Sequence, residues 1–238
     1  IGQPSQINLT LLTNKPTCNG ASNGSVSVVA IQGVTPYTYA WNTTPAQTTA
    51  TASDLIAGSY TVTVTDNKGC TAVATDSLIA PTKIVVSTNA TGSKCFNTAT
   101  GVVEATVTGG LPPYVYQLNG VTQDSNIYYG LLPGNYILLV TDANSCQGTA
   151  SFEITSPSQI SVSVSTNEQI ILTGMKTQLV ATANSTQPII GYMWTPDSLM
   201  DYSICGDPAN CSNPYAAPRS TTIFTVTVMN SDSCTATD

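Results

Sequence analysis

The chain has 238 residues, 41% of them hydrophobic and only 8% charged, with a formal net charge of −7. That is apolar enough for two or three small cored domains, and with six Lys plus Arg too acidic to favour a phosphate backbone or an anionic membrane surface. No apolar run approaches bilayer length, and seven cysteines without a single His argue against zinc and Cys-His catalysis and for disulfides in an oxidising compartment.

Solubility has to come from hydroxyls and amides, since the chain holds 38 Thr and 24 Ser. β-Branched Thr suits strands with one face in water. The opening IGQPSQINL matches ITSPSQISV at Ile154–Val162, so the chain is expected to begin at a joint between modules, at Pro4. Strands are expected at Ser25–Ile31, Tyr37–Trp41, Tyr60–Thr65 and Thr71–Ile79, separated by Gly, Pro and Asn clusters. In Tyr60-Thr61-Val62-Thr63-Val64-Thr65 the apolar residues share one face and the threonines the other, which predicts a half-buried strand. Asp66-Asn67-Lys68-Gly69 is a turn, and Cys70 opens the returning strand.

The landmarks then recur. Gly33–Tyr39 (GVTPYTY) matches Gly110–Tyr116 (GLPPYVY), Gly58-Ser59-Tyr60 matches Gly134-Asn135-Tyr136, and Thr65-Asp66 with Cys70 matches Thr141-Asp142 with Cys146. A shift of 77 residues carries Cys18 to Cys95, and a period this long means one domain per repeat. From about Gln159 the pattern diverges. It keeps Tyr192-Met193-Trp194 and Thr225–Val228, lacks the early cysteine, and carries an insertion of about a dozen residues around Cys205–Cys211. CTATD at Cys234–Asp238 matches CTAVATD at Cys70–Asp76, so the third module is expected to be truncated within its last strand. The expected fold is all-β: tandem Greek-key, immunoglobulin-like sandwiches of about seven strands, divided at 1–81, 82–158 and 159–238.

The early Cys, the paired Pro-Tyr, the Gly-x-Tyr, the Thr-Asp and the late Cys resemble the SprB-type repeat of giant surface adhesins in gliding Bacteroidetes. They are carried by Cys18, Pro36-Tyr37, Gly58, Tyr60, Thr65-Asp66 and Cys70, and again by Cys95, Pro113-Tyr114, Gly134, Tyr136, Thr141-Asp142 and Cys146. The third segment, with Trp194-Thr195-Pro196 and Thr221–Val228, resembles PKD-type immunoglobulin-like domains. The resemblance implies an extracellular, outer-membrane-exported adhesin segment, type IX secretion, and a role in gliding or attachment.

Because 52 positions separate Cys18 from Cys70 and 51 separate Cys95 from Cys146, the expected disulfides are Cys18–Cys70 and Cys95–Cys146. Cys205–Cys211 is expected as a local loop clip, leaving Cys234 as a buried free thiol. Trp41, Trp194, Tyr37, Tyr39, Tyr60, Tyr114 and Tyr136 are expected in the cores, with Tyr60 and Tyr136 bonded to backbone as tyrosine corners. Adjacent side chains of a strand point oppositely, so one of Tyr128 and Tyr129 should be exposed and is the contact candidate. Asp66 and Asp142 could be calcium ligands, as could the looser set Asp197, Asp201 and Asp207, but a turn-stabilising role is preferred because the turns lack dense oxygen ligands. No cofactor is called for, and the scattered acids offer no catalytic pair. The reading is a non-catalytic stalk of a surface adhesin, a monomeric piece whose partners are neighbouring modules and surface polysaccharide or glycan. A carbohydrate-binding accessory module is the alternative.

Overall fold

A computed structural model describes residues 6–238; the expected joint at Pro4 lies outside the described residues. Twenty strands and two short 3-10 turns, Asp197–Leu199 and Pro208–Asn210, make up its regular structure. The first repeat contains β1 (Asn8–Asn14), β2 (Gly24–Ile31), β3 (Thr38–Trp41), β4 (Thr51–Leu55), β5 (Gly58–Thr65) and β6 (Thr71–Leu78). These form two antiparallel sheets in the orders β1-β2-β4 and β3-β5-β6. The chain changes sheet at β3 and returns at β4, the Greek-key connection of an immunoglobulin-like sandwich.

Alternation places the core. Val26 and Val28 on β2 and Val62 and Val64 on β5 are buried and meet Trp41, Ala52, Leu55 and Leu78. The threonines of β5 face the other way, and Thr61 exchanges a 2.8 Å hydroxyl hydrogen bond with Thr75 of β6. Such cross-strand Thr pairs, each worth a few tenths of a kcal/mol to about 1, support the face that carries no core.

The second repeat adds β7 (Val85–Thr91), β8 (Gly101–Thr108), β9 (Val115–Leu118), β10 (Val121–Gln123), β11 (Ile127–Leu131), β12 (Gly134–Thr141) and β13 (Gln147–Ile154), ordered β11-β8-β7 and β10-β9-β12-β13. The additional strand β10 comes from a tight hairpin whose Asn119 and Gly120 both have positive φ, the pairing that matches strand twist.

The third segment contains β14 (Ser161–Thr166), β15 (Thr177–Asn184), β16 (Ile189–Thr195), β17 (Met200–Asp201), β18 (Tyr215–Ala216), β19 (Thr225–Asn230) and β20 (Thr235–Thr237), ordered β14-β15-β18-β17 and β16-β19-β20. Here β18 pairs with β15 as β4 pairs with β2. The inserted residues form β17, with one 3-10 turn ahead of it and the other after it. The repeats thus hold six, seven and seven strands.

By packing, the described chain gathers into two compact units. One holds residues up to 88 with 105–126 and 137–151; the other holds 89–104, 127–136 and 152–238.

Candidate functional site

The residues shared by all three segments converge on the turn before the last strand of each. In the first unit Asp66 is buried, and its Oδ1 accepts the N–H groups of Lys68 and Cys70, both at 2.9 Å, while Oδ2 accepts that of Val34 at 3.0 Å. Asp142 does the same with Asn144 (2.9 Å), Cys146 (2.8 Å) and Leu111 (2.9 Å). Gly110 has φ +70 and stands where a Cβ would meet Ile84 at 2.7 Å and Asp142 Oδ2 at 2.8 Å, so only glycine lets this loop close on the carboxylate. Burial opposes both charges, but the three N–H donors outweigh it and hold both carboxyls below their ordinary value. In the second unit Asn230 stands in the same place: Oδ1 accepts from Asp232 (3.1 Å) and Cys234 (2.9 Å), and Nδ2 donates to Ser185 Oγ at 3.2 Å.

These carboxylates are filled by backbone donors. Asp201 pairs with Lys176 and accepts from Ser203 N–H at 3.0 Å, which holds its carboxyl well below the usual range. Asp207 caps the 3-10 turn at Pro208–Asn210, accepting from Ala209 N–H. Asp197 accepts from Tyr202 Oη at 2.7 Å; burial and that bond push the Tyr202 phenol up to about 12. Among the described residues no three His, Cys, Asp or Glu gather into a metal-holding group.

The turns aim cysteines. Cys146 is bonded to Cys18 and Cys234 to Cys95, with Cα–Cα distances of 5.6 and 5.5 Å, while Cys205 is bonded to Cys211. This corrects the expected Cys18–Cys70 and Cys95–Cys146 pairs and the free thiol at Cys234: Cys234 is bonded, and the free cysteine is Cys70, half-buried. The first repeat shows why. The Cys18 loop lies at the Leu78 end of its sandwich, where Asn19 Nδ2 donates to Pro81 O at 3.2 Å and a Cβ on Gly24 would meet both Pro16 and Leu78. Cys70 lies at the other end of β6, which at ~3.3 Å per residue is roughly 23 Å away. A disulfide tolerates a Cα–Cα distance of at most ~7 Å. The equal spacings of the expected pairs reflect the repeat and not contact; the bonded pairs are 128 and 139 positions apart.

Each long bridge therefore joins the early loop of one repeat to a hairpin of the next segment, inside one compact unit. Cys18 and Cys146 stand beside Thr82, Lys83 and Ile84, with Cys146 Sγ 3.3 Å from Thr17 O and Asn144 Nδ2 donating to that oxygen at 3.2 Å. Cys95 and Cys234 stand beside Pro157, Ser158 and Gln159, with Cys234 Sγ 3.5 Å from Lys94 O.

The aromatics are structural. Trp41 and Trp194 are buried, their Nε1 donating to Thr49 O and Cys211 O at 2.9 Å. Tyr60 and Tyr136 donate to Ile56 O (2.9 Å) and Leu132 O (2.8 Å), and Tyr136 stacks on Phe152. Tyr37 donates to Gln32 O and Tyr114 to Gly109 O, each five residues back, which is the task of the Pro-Tyr motif. Tyr128 is buried, whereas Tyr129 is 72% exposed. An open cleft of about 670 Å³ in the second unit is lined by Ile190, Met193, Met229, Pro208, Tyr192 and Tyr202 among others.

The family model described as the SprB repeat matches residues 13–45 and 87–123. Both matches begin near an early cysteine and end before the late one. No curated protein matches the chain. Among solved structures, three titin immunoglobulin domains, I67–I69, are 11% identical, covering 97% of this chain and 95% of theirs at a TM-score of 0.41. The N-terminal eight immunoglobulin domains of Down Syndrome Cell Adhesion Molecule are 11% identical over 94% of this chain, which spans 34% of that one, at 0.38. The Escherichia coli adhesin FdeC is 10% identical over 97% and 96%, at 0.28. No helix among the described residues is long and apolar enough to cross a membrane.

Proposed function

We propose that the chain is a non-catalytic stalk segment of a secreted cell-surface adhesin, made of modules at 1–81, 82–158 and 159–238, the last a PKD-like variant. The observation that carries this reading is that each of the two long disulfides ties the early loop of one module to the last hairpin of the next. A bridge across a joint does nothing for a reaction centre. It limits how far successive modules can part, which serves a spacer under tension. The SprB-repeat match supports a surface adhesin, and with it export across an outer membrane by type IX secretion and a part in gliding or attachment. The disulfides suit that oxidising location.

A glycan array run beside force spectroscopy tests this. The stalk reading expects no glycan above background and a resistance to unfolding that falls on reduction. Selective binding of a glycan, lost in Tyr129→Ala, replaces it with the carbohydrate-binding alternative.

A further inference from the structure

We infer that Cys70 is the receiving half of a third inter-module disulfide, whose partner is the early-loop cysteine of a further module of this kind. Three hairpins have the same construction. In each the side-chain Oδ1 of an Asp or Asn accepts the cysteine N–H, at 2.9 Å for Cys70, 2.8 Å for Cys146 and 2.9 Å for Cys234. The backbone pairs close in parallel: Asp66 N–H to Cys70 O, Asp142 N–H to Cys146 O and Asn230 N–H to Cys234 O, at 2.9, 2.9 and 3.0 Å. The residue before each cysteine, Gly69, Ser145 or Ser233, has φ of 80, 65 or 66.

Two of these three cysteines are bonded, and each takes the same partner from the module before it. Cys146 meets Cys18 with its sulfur against Thr17 O; Cys234 meets Cys95 with its sulfur against Lys94 O. Where the partner is present the hairpin cysteine is covered, at 9% and 7% exposure, and Cys70 is more open than either. The repeat thus shows the occupied state of the site twice and Cys70 as the same site awaiting its ligand. Applied to Cys70, the one-period shift of 77 residues places the matching cysteine ahead of Cys18 by that distance, on the same polypeptide or on another copy.

The bond forms by thiol–disulfide exchange. With glutathione disulfide as oxidant, the Cys70 thiolate attacks one glutathione sulfur and expels glutathione thiolate; the incoming cysteine thiolate then attacks the Cys70 sulfur and expels the second. Two protein thiols and one glutathione disulfide become one protein disulfide and two glutathiones.

This inference deepens the stalk reading and rests on its covalent joints. The test is a longer chain in which residues 1–81 are followed by residues 5–238, refolded with oxidised and reduced glutathione, alkylated under denaturing, non-reducing conditions and mapped by mass spectrometry. The expected result is a single label, on the upstream copy of Cys70, with the downstream Cys70 linked to the upstream Cys18. An upstream Cys18 bonded to the Cys70 of its own copy overturns the inference. A second arm asks for the bond between separate chains and does not depend on the folding of the added module. The Cys70→Ser, Cys146→Ser double variant, whose Cys18 is free, is mixed with the unaltered chain. A Cys18-to-Cys70 dimer supports the pairing chemistry and identifies a second copy as a competent source. Absence of the bond in both arms rejects the inference while leaving Cys18–Cys146, Cys95–Cys234 and the stalk reading intact; scrambling of those two bridges in the unaltered chain is the outcome that rejects the stalk reading.

Discussion

Pulling the chain from its two ends gives a direct measure of how its cysteines are connected. Fully reduced, 238 residues stretch at ~3.5 Å each to about 830 Å. With the bridges formed, the shortest covalent path is far shorter, because the two long loops overlap. It runs from Ile1 to Cys18, crosses to Cys146, travels back along the 51 residues to Cys95, crosses to Cys234 and ends at Asp238. At the same rise that is about 260 Å. Bridges confined within single modules, Cys18–Cys70 and Cys95–Cys146 together with Cys205–Cys211, would leave about 460 Å by the same reckoning. Single-molecule force spectroscopy with and without reductant separates the three lengths easily. A fully stretched, oxidised chain near 460 Å would refute the inter-module connection and with it the account of the joints. The force then passes through Cys95–Cys146 in reverse, so the middle module is held at both ends by hairpin and loop rather than by its joints.

Removing the first bridge with Cys18→Ser and Cys146→Ser should destabilise the first module by about 4–5 kcal/mol in the chain-entropy model, because the logarithm makes a 128-residue loop little different from one half as long; an unchanged urea midpoint would contradict it. Tyr60→Phe and Tyr136→Phe each remove one hydroxyl bond to backbone and should cost about 1 kcal/mol, read as a lowered midpoint with unchanged slope. Trp194→Phe leaves Cys211 O without its buried donor and should cost about 1–3 kcal/mol, read by scanning calorimetry as a lower melting transition for the third segment. The Asp142 carboxyl titrates below its ordinary value in the folded chain, so its contribution is present above about pH 4 and is lost as pH falls further; Asp142→Asn should melt lower at pH 7 and show a shallower loss between pH 5 and 2.

Much of this was legible in the residues. Alternation in Tyr60–Thr65 and the Gly and Asn turn clusters each report a local property, so they located the four strands expected in the first repeat with boundaries within two residues. Buried Trp41 and Trp194 and the split between Tyr128 and Tyr129 follow from the same two-residue period. β1 and β4 escaped, because Thr-rich and Asp-containing stretches such as Thr51–Leu55 become strands only when a neighbour offers its free edge.

The cysteine pairing lay beyond reach for a different reason. A repeat gives equivalent cysteines matching spacings whether or not they touch, and counting does not help: two early and three late cysteines leave one over whether they join within modules or between them. The one-dimensional pattern therefore determined which residues are strand, core and turn. Which ends of a sandwich stand close to the next one is a three-dimensional distance, roughly 23 Å along β6 against the ~7 Å a disulfide permits. Only the folded chain, with Thr17 against the Cys146 hairpin and Lys94 against that of Cys234, decided that the staples lie across the joints.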